Sequence, residues 1–262
     1  METEVDGFRK GKAPIEKVEQ KLGTSKLYGD TIDELLQKYY TQALKENLIQ
    51  PVSNPKVEVK EFDIEKDFEF EARVATKPDI KIGEYKNELK KYYQDKNTQI
   101  SKMNAEKLKN GEKIEHSHAH IHPNEIVDIL IKNSTLEVSD ILVDEETNRL
   151  ISRLINEVMA AGMKVDDYLR AQNTTIEHVT DNYKKAAEIN IKGELVLHEL
   201  IKIENITVTE EDIDKTINSI ESEENRKNLN TPVQRVYIRT ILEKNALFDK
   251  IIKELEGDNH HE

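Results

Sequence analysis

The sequence predicts an α+β N-terminal portion, made of helices and an antiparallel strand pair, followed by an extended all-α domain of helical hairpins. Apolar residues alternate with charged ones in two short segments before residue 75, and beyond residue 123 they recur at helical spacing. Aromatic residues make up only 5% of the 262 residues, whereas charged residues make up 35%, which favours helices over a β-sandwich. We expect the boundary between the two portions at Pro78 to Gly83.

Two helices and a loop are predicted at the start of the chain. A loop rich in glycine and basic residues, 7–12, precedes Pro14, which suits the first position of a short helix. Thr31 and Glu34 have the spacing of a capping box and predict a helix over about 30–46. The apolar stripe of this helix is formed by Ile32, Leu35, Leu36, Tyr39, Tyr40, Ala43 and Leu44.

Two strands are predicted next, because the apolar period changes from helical spacing to alternation. Residues 63–66 would connect the two strands as a hairpin, and Pro51 and Pro55 would fix the approach to the first strand. The alternating apolar residues are Val57, Val59 and Phe62 in the first strand and Phe68, Phe70, Ala72 and Val74 in the second.

The remaining chain is predicted to be helical. Residues 85–110 have a sparse apolar pattern typical of an exposed helix or a partly ordered linker rather than a core element. Thr174 with Glu177, and Thr209 with Asp212, have the spacing of residues that cap helix N-termini. Two glycines lie where helices are expected to end. The predicted helices are 124–133, 139–161, 165–172, 174–204, 209–223 and 231–256, with the glycines at Gly162 and Gly257.

The composition excludes several function classes. The formal charge of −13 disfavours general nucleic-acid binding, so DNA is not an expected partner. No stretch approaches 18 apolar residues, so we expect no membrane contact. The chain has no cysteine, which excludes thiol chemistry and fits a reducing compartment, so we expect a cytoplasmic protein. It also lacks phosphate-loop, G-x-S-x-G and H-E-x-x-H motifs, and we expect neither catalysis nor a cofactor.

A histidine-rich segment, EHSHAHIHP, follows the sparse helix. In an extended chain its alternating imidazoles would project to one side, and imidazole binds Zn, Ni and Cu. The alternative, which we favour, is a polar connection before a helix whose metal affinity is incidental. The candidate ligands are His116, His118, His120 and His122.

The loop GFRKGK is the second unusual segment. Two glycines bracket one aromatic residue and three cations in a strongly acidic chain. Arginine and lysine pair with phosphates, and Phe8 offers a flat apolar contact for a pocket or a base. The plain alternative is an ordinary basic turn before a helix.

These residues resemble a family motif. Gly7-Phe8-Arg9-Lys10-Gly11-Lys12-Ala13-Pro14 fits the G-F-R-x-G-K-x-P signature of the bacterial trigger factor family at eight consecutive positions. The resemblance continues through YGDTIDELLQKYYTQALKE, the Pro51-Val52 turn and VATKPDIKIGEYK. It resumes with NEIVDILIKNSTLEVSDILVDEETNRLI and VTEEDIDKTI, and covers most of the chain except about residues 87–122.

The resemblance implies a ribosome-associated, ATP-independent chaperone. It implies a partial ribosome-binding domain at 1–83, a linker or exposed helix with the histidine-rich segment at 84–122, and a helical substrate-binding domain at 123–262. The expected partners are the large ribosomal subunit at the exit tunnel, through protein and RNA, and nascent or unfolded polypeptides shielded by helical arms. The resemblance implies that the docking residues are Gly7, Phe8, Arg9, Lys10, Gly11 and Lys12.

Two departures from the family pattern are visible. The interval 88–122 is too short for the FKBP-like prolyl isomerase domain that the family usually inserts there, so we expect no isomerase activity. Met1 precedes Gly7 by only six residues, whereas the family has a strand and most of a helix before its signature. We therefore expect a truncated gene model or a natural fragment with a weakened docking domain.

Two other function classes remain open at this point. The helical domain alone would make a ribosome-free holdase, and the histidine-rich segment would make a metal-binding helical protein. The sequence leaves open whether the chain forms a homodimer.

Overall fold

The structure, a computed structural model, describes residues 7–9, 12, 14, 17–18, 24–61, 67–111, 113 and 119–257, with the backbone alone for 24–27 and 30. The chain forms two compact units, Met1–Lys77 and Pro78–Glu262. Phe62, the predicted connection 63–66, and residues 1–6 lie outside the described residues.

Helix α1 of the first unit spans Thr24–Glu46. It begins before the predicted start, so the capping role expected of Thr31 and Glu34 is wrong; both residues lie inside the helix. The predicted apolar stripe is half-buried at most of its positions, while Tyr39 and Ala43 are exposed. Among the described residues of this unit, Ala75 is the one that is buried.

The predicted antiparallel strand pair is confirmed. Strand β1 is Lys56–Glu61 and strand β2 is Glu69–Arg73, with Val57 opposite Ala72 and Val59 opposite Phe70. The register shifts between Val59 and Glu61, as at a β-bulge. Pro51 forms a bridge with Thr76, so the chain enters and leaves the hairpin side by side.

The second unit is mainly helical, as predicted. Its elements in chain order are β3 (Lys81–Ile82), α2 (Tyr85–Lys109), α3 (Pro123–Lys132), β4 (Ser134–Thr135), α4 (Asp140–Ala160), α5 (Val165–Ala171), α6 (Ile176–Ile203), α7 (Glu210–Asn218), α8 (Glu223–Leu229) and α9 (Pro232–Glu256). Helices α4 and α6 pack on each other, and α6 also contacts α3 and α9.

The main core of this unit is built from four helices that are distant in sequence. Its fully buried centre includes Leu130 of α3, Leu200 of α6 and Leu247 of α9. Tyr85 and Leu89 of α2 complete it, so the interpretation of residues 85–110 as an exposed helix or linker rather than a core element is wrong for the first two turns. A second, smaller core joins α7 to α9 through Ile213, Ile217 and Ile238.

The helix ends mostly follow the predicted capping signals. The capping box of Thr209 and Asp212 is present, with the Thr209 hydroxyl accepting a hydrogen bond from the Asp212 amide at 3.3 Å. Gly162 and Gly257 have positive φ angles of 74° and 77°, which glycine adopts more readily than other residues. The start of α6 differs, because Thr175 rather than Thr174 is the N-cap.

Two further details differ from the prediction. The single helix expected over 209–223 ends at Asn218, and a separate helix, α8, begins at Glu223 with Ser222 as its cap. The mainly helical unit also holds the short pair β3–β4, in which Lys81 lies opposite Thr135. Such a pairing has no local signal, because its two strands are far apart in the chain.

Candidate functional site

The basic loop lies in the first unit and exposes the residues expected to make contacts. Phe8 is 43% exposed, and Arg9 and Lys12 are exposed as well. The amide of Lys12 donates a 2.9 Å hydrogen bond to the carbonyl oxygen of Arg9, so the segment closes into a turn. Gly7 has a φ of 87°, a conformation that non-glycine residues rarely adopt. Lys10 and Gly11 lie outside the described residues.

A helical turn follows the loop near the start predicted at Pro14. The amides of Lys17 and Val18 both donate to the carbonyl oxygen of Pro14, at 3.0 and 3.2 Å. Because this carbonyl accepts the first hydrogen bond of the turn, Pro14 lies one position before the predicted first helical residue. The turn therefore holds one end of the basic loop, while the glycine at the other end lets the backbone reverse.

Exposed apolar side chains form a line on α9 in the second unit. Val233, Val236, Tyr237 and Ile241 are 77%, 60%, 61% and 38% exposed, and their spacing of three and four residues places them on one face. We call this set the α9 stripe. The helix packs by another face, since Ile238 belongs to the smaller core. Asn245 and Asp249 continue the line at the same spacing, where it becomes polar.

A second exposed apolar group lies where α4 ends. Met159 and Met163 are 64% and 42% exposed, and the turn between them contains Gly162 in the left-handed conformation. Methionine side chains are flexible and polarisable, so they adapt to partners of different shape. Sequence periodicity does not predict either this group or the α9 stripe, because α4 and α9 also carry a buried face.

Of the four candidate histidine ligands, the structure describes two. His120 is exposed, and its Nδ1 lies 3.3 Å from Oε2 of Glu256 at the end of α9. His122 is the N-cap of α3, and its amide donates a 2.8 Å hydrogen bond to Glu125. His116 and His118 lie outside the described residues. Within the part of the chain that the structure describes, no three His, Asp or Glu side chains are grouped as a metal site would require.

The histidine-rich segment is held against α2 by polar contacts. Lys96 donates to the carbonyl oxygen of His120 at 2.7 Å and to both carboxylate oxygens of Glu125 at 2.8 and 2.7 Å. Burial raises the pKa of Glu125, but hydrogen bonds from Lys96, Tyr92 and the His122 amide outweigh it and lower the pKa to about 2. These contacts give the carboxylate a structural role at the start of α3.

A second carboxylate, Glu204, joins three helices. It accepts hydrogen bonds from Lys250 at 2.5 Å and from Tyr85 at 2.5 Å, and it pairs with Lys86 at 2.8 Å. These bonds lower the pKa of Glu204 to about 2, against the effect of its burial. Burial and the bond to Glu204 raise the pKa of Tyr85. The residues of this network come from α2, the end of α6 and α9, which is why sequence reasoning missed them.

Two family models match this chain. One is described as bacterial trigger factor protein and matches residues 1–110, and the other is described as the C-terminus of bacterial trigger factor protein and matches residues 105–253. The second match alone covers more than half of the chain.

Curated relatives carry the same family name. A trigger factor of Staphylococcus carnosus is 39% identical over 121 residues, which cover 45% of this chain and 25% of that protein. A trigger factor of Staphylococcus epidermidis is 41% identical over 118 residues, with the same shares of each chain. A trigger factor of Bacillus cytotoxicus is 43% identical over 82 residues, 31% of this chain and 19% of that protein. The matched region is therefore a quarter or less of these relatives' lengths.

One solved structure has a similar fold. It comes from work on promiscuous substrate recognition in folding and assembly activities of the trigger factor chaperone. The TM-score is 0.52 over 97% of this chain and 90% of that chain, at 14% sequence identity. At this identity the similarity concerns the fold alone.

Proposed function

The chain belongs to the bacterial trigger factor family, and we propose on that basis that it is an ATP-independent chaperone that docks at the exit tunnel of the large ribosomal subunit and shields nascent polypeptides. The observation that carries the proposal is the exposed turn of Phe8, Arg9 and Lys12 within the residues that the N-terminal family model matches.

The basic loop supports docking to a surface of RNA and protein. Exposed guanidinium and ammonium groups pair with phosphates, and Phe8 adds an apolar contact beside them. Because the whole chain carries a net charge of −13, attraction to RNA is confined to such a local patch. Docking should therefore depend on ionic strength, as phosphate contacts do.

The exposed apolar groups of the second unit support binding of unfolded chains. The α9 stripe and the pair Met159 and Met163 each leave apolar area in contact with water. Small apolar surfaces bordered by charged residues bind extended apolar segments weakly and with little selectivity. Such binding requires no nucleotide, because nothing in it depends on an energy-driven conformational change.

We further propose that this chaperone works without a peptidyl-prolyl isomerase domain. The two family models overlap at residues 105–110, so the N-terminal and C-terminal parts of the family follow each other directly in this chain. We place the protein in the cytoplasm, where ribosomes are. None of the helices that the structure describes is long and apolar enough to cross a bilayer.

Ribosome cosedimentation tests the docking proposal. The full chain and a Phe8→Ala, Arg9→Ala, Lys10→Ala variant are compared over a range of salt concentrations. The variant loses two cations that would pair with phosphates, so the slope of log Kd against log salt should fall by about 2, with weaker binding at every salt concentration. A matched control is Tyr39→Ala, Lys38→Ala, Lys45→Ala, which also removes one exposed aromatic residue and two cations from the first unit.

The control variant should sediment with ribosomes as the parent does. Equal binding by the parent and the loop variant would overturn the docking role of this loop. If the parent is folded, as judged by circular dichroism, but does not sediment with ribosomes, the function is that of a ribosome-free holdase.

A further inference from the structure

The turn that ends α4 presents two methionines to solvent. Met159 is 64% exposed and Met163 is 42% exposed. Two backbone hydrogen bonds close the turn, one from the Gly162 amide to the Met159 carbonyl oxygen at 2.9 Å and one from the Met163 amide to the Val158 carbonyl oxygen at 3.1 Å. This is the pattern of a Schellman motif, so the backbone is held in place while both side chains remain in contact with solvent.

The packing of α4 does not depend on these two side chains. The buried side of the helix includes Ile141, Val143 and Val158, and the last of these is 6% exposed although it is the immediate neighbour of Met159. A change of polarity at the two methionines therefore alters the surface of the second unit and leaves its core intact.

Thioether sulfur is the most easily oxidised group in this chain. The sequence contains no cysteine and four methionines. Three of the methionines lie among the described residues, and the third of these, Met103, is 57% exposed on α2, at a distance in the chain from the other two. Because the side chains of Met159 and Met163 are exposed, a small oxidant such as hydrogen peroxide reaches both of them.

Oxidation converts an apolar methionine side chain into a polar one. A lone pair of the sulfur forms a bond to one oxygen of the peroxide as the O–O bond breaks, and the proton on that oxygen passes to the departing hydroxide. The sulfur loses two electrons and becomes a sulfoxide, while the peroxide is reduced to water. Methionine sulfoxide reductases return the sulfoxide to the thioether, so the change is reversible.

We propose that Met159 and Met163 form a modification site, at which oxidation by a hydroperoxide removes part of the client-binding surface of the second unit. The inference rests on the chaperone function proposed above, because this pair is one of the two exposed apolar groups to which client binding is assigned. Two sulfoxides in one turn place polar oxygens where an apolar client segment would otherwise be buried, and that contact becomes unfavourable.

Oxidation of the full chain with dilute hydrogen peroxide, followed by peptide mass spectrometry, tests the site. The expected result is one added oxygen atom on each of Met159 and Met163, with an unchanged circular dichroism spectrum. In light scattering from a denatured, diluted client protein, roughly tenfold more oxidised than reduced protein should be required for the same protection. Treatment with methionine sulfoxide reductases and a thiol reductant should restore the original protection.

Three variants locate the effect. Met159→Leu with Met163→Leu keeps apolar side chains of similar volume that peroxide does not oxidise, so its protection should equal that of the reduced parent before and after treatment. Met159→Gln with Met163→Gln introduces polar side chains without an oxidant and should reproduce the loss. Met103→Leu, the matched control, removes an exposed methionine on another helix and should still lose protection on oxidation, as the parent does.

An equal loss of protection in the oxidised parent and in the peroxide-treated double-leucine variant would assign the effect to other residues and overturn the inference. Undiminished protection by a parent that carries both sulfoxides also overturns it. If the reduced parent protects no client, the proposed chaperone function fails, and binding of the dye ANS to exposed apolar surface then decides the inference separately. Lower dye binding after oxidation of the parent, but not of the double-leucine variant, supports the site, and unchanged dye binding overturns it.

Discussion

The hydroxyl of Tyr85, in the first turn of α2, donates a 2.5 Å hydrogen bond to Oε1 of Glu204, the C-cap residue that follows α6. A carboxylate at a helix C-terminus is unfavourable, because the helix dipole places partial negative charge there. Lys86 and Lys250 compensate for it, and both approach the same carboxylate. The ion cluster therefore connects three helices, with Glu204 119 positions from Tyr85 and 46 positions from Lys250.

Glu204→Gln should weaken the second unit in a pH-dependent way. The folded protein holds the pKa of Glu204 at about 2, below its usual value of 4.5. A carboxylate whose pKa is lower in the folded than in the unfolded state stabilises the fold at pH values above the unfolded-state pKa. This stabilisation is lost as the pH falls from about 4.5 towards 2. We expect a loss of roughly 1–3 kcal/mol at pH 7 and almost none near pH 2. Urea unfolding at a series of pH values measures it.

A control for this change is Glu223→Gln, at a carboxylate whose side chain is 74% exposed and whose ion pair with Lys227 is also exposed. Exposed pairs contribute little to stability, so this variant should follow the parent at every pH. The role given to Glu204 is wrong if its variant and the control have the same pH profile.

Gly83→Ala should destabilise the pairing of β3 with β4. A Cβ atom at this position would lie 2.9 Å from the backbone oxygen of Asn133, which already accepts a 2.8 Å hydrogen bond from the Gly83 amide. Because that oxygen belongs to the backbone, the strand must move, at a cost of about 1–3 kcal/mol. Hydrogen exchange at 81–83 and 133–135 should accelerate.

The same substitution at Gly29 is the natural comparison. Gly29 lies inside α1, and among the described residues no atom beyond its own stretch of helix backbone lies within 4 Å of the Cβ that alanine would add. Alanine favours a helix over glycine by about 0.5–1 kcal/mol, so exchange in α1 should slow down. Faster exchange in α1 would contradict this expectation.

Leu200→Ala should remove a large part of the stability of the second unit. Leu200 is fully buried at the centre of the main core. Truncation of a buried leucine leaves a cavity and costs about 2–5 kcal/mol. Leu108→Ala is the control, because Leu108 is 62% exposed near the end of α2 and should change stability by less than about 0.5 kcal/mol. Thermal unfolding of both variants distinguishes the two cases.

The α9 stripe should be needed for suppression of aggregation. Val233→Ser, Val236→Ser, Tyr237→Ser removes apolar area that binds an unfolded chain, and we expect roughly tenfold more protein to be required for the same protection. The assay is light scattering from a denatured, diluted client protein. Asn245→Ser, Asp249→Ser alters the polar continuation of the same line and should leave protection unchanged. Full activity of the stripe variant would exclude this surface.

Local signals in the sequence predicted the elements well. Thr209 and Asp212 are three residues apart and cap α7 as their spacing indicates, and the alternation of Val57 and Val59 gave the correct strand. The predicted start of α1 was wrong, because a capping signal lies inside a longer helix. Thr31 and Glu34 have capping spacing, yet α1 continues through Gly29 and begins earlier, because one glycine costs a long helix only about 1 kcal/mol.

Contacts between distant residues could not be predicted from one sequence. Tyr85 and Leu89 sit in a segment with a sparse apolar pattern, and they are buried because α3, α6 and α9 pack around them. The contact between Glu256 and His120 could not be predicted for the same reason, since the two residues are 136 positions apart. For the basic loop the situation is reversed. Its composition was sufficient to single it out, and the structure adds the turn and the exposure of Phe8.

The main core contains residues from distant parts of the chain, and this determines when the second unit can fold during synthesis. Ile251 and Ile252, near the end of the chain, pack in one cluster with Tyr85 and Leu89. Translation proceeds from the N-terminus, so the second unit cannot close its core until α9 has been synthesised. Until then, the apolar faces of α2, α3 and α6 remain uncovered. A nascent molecule of this kind is thus itself a chain in need of protection.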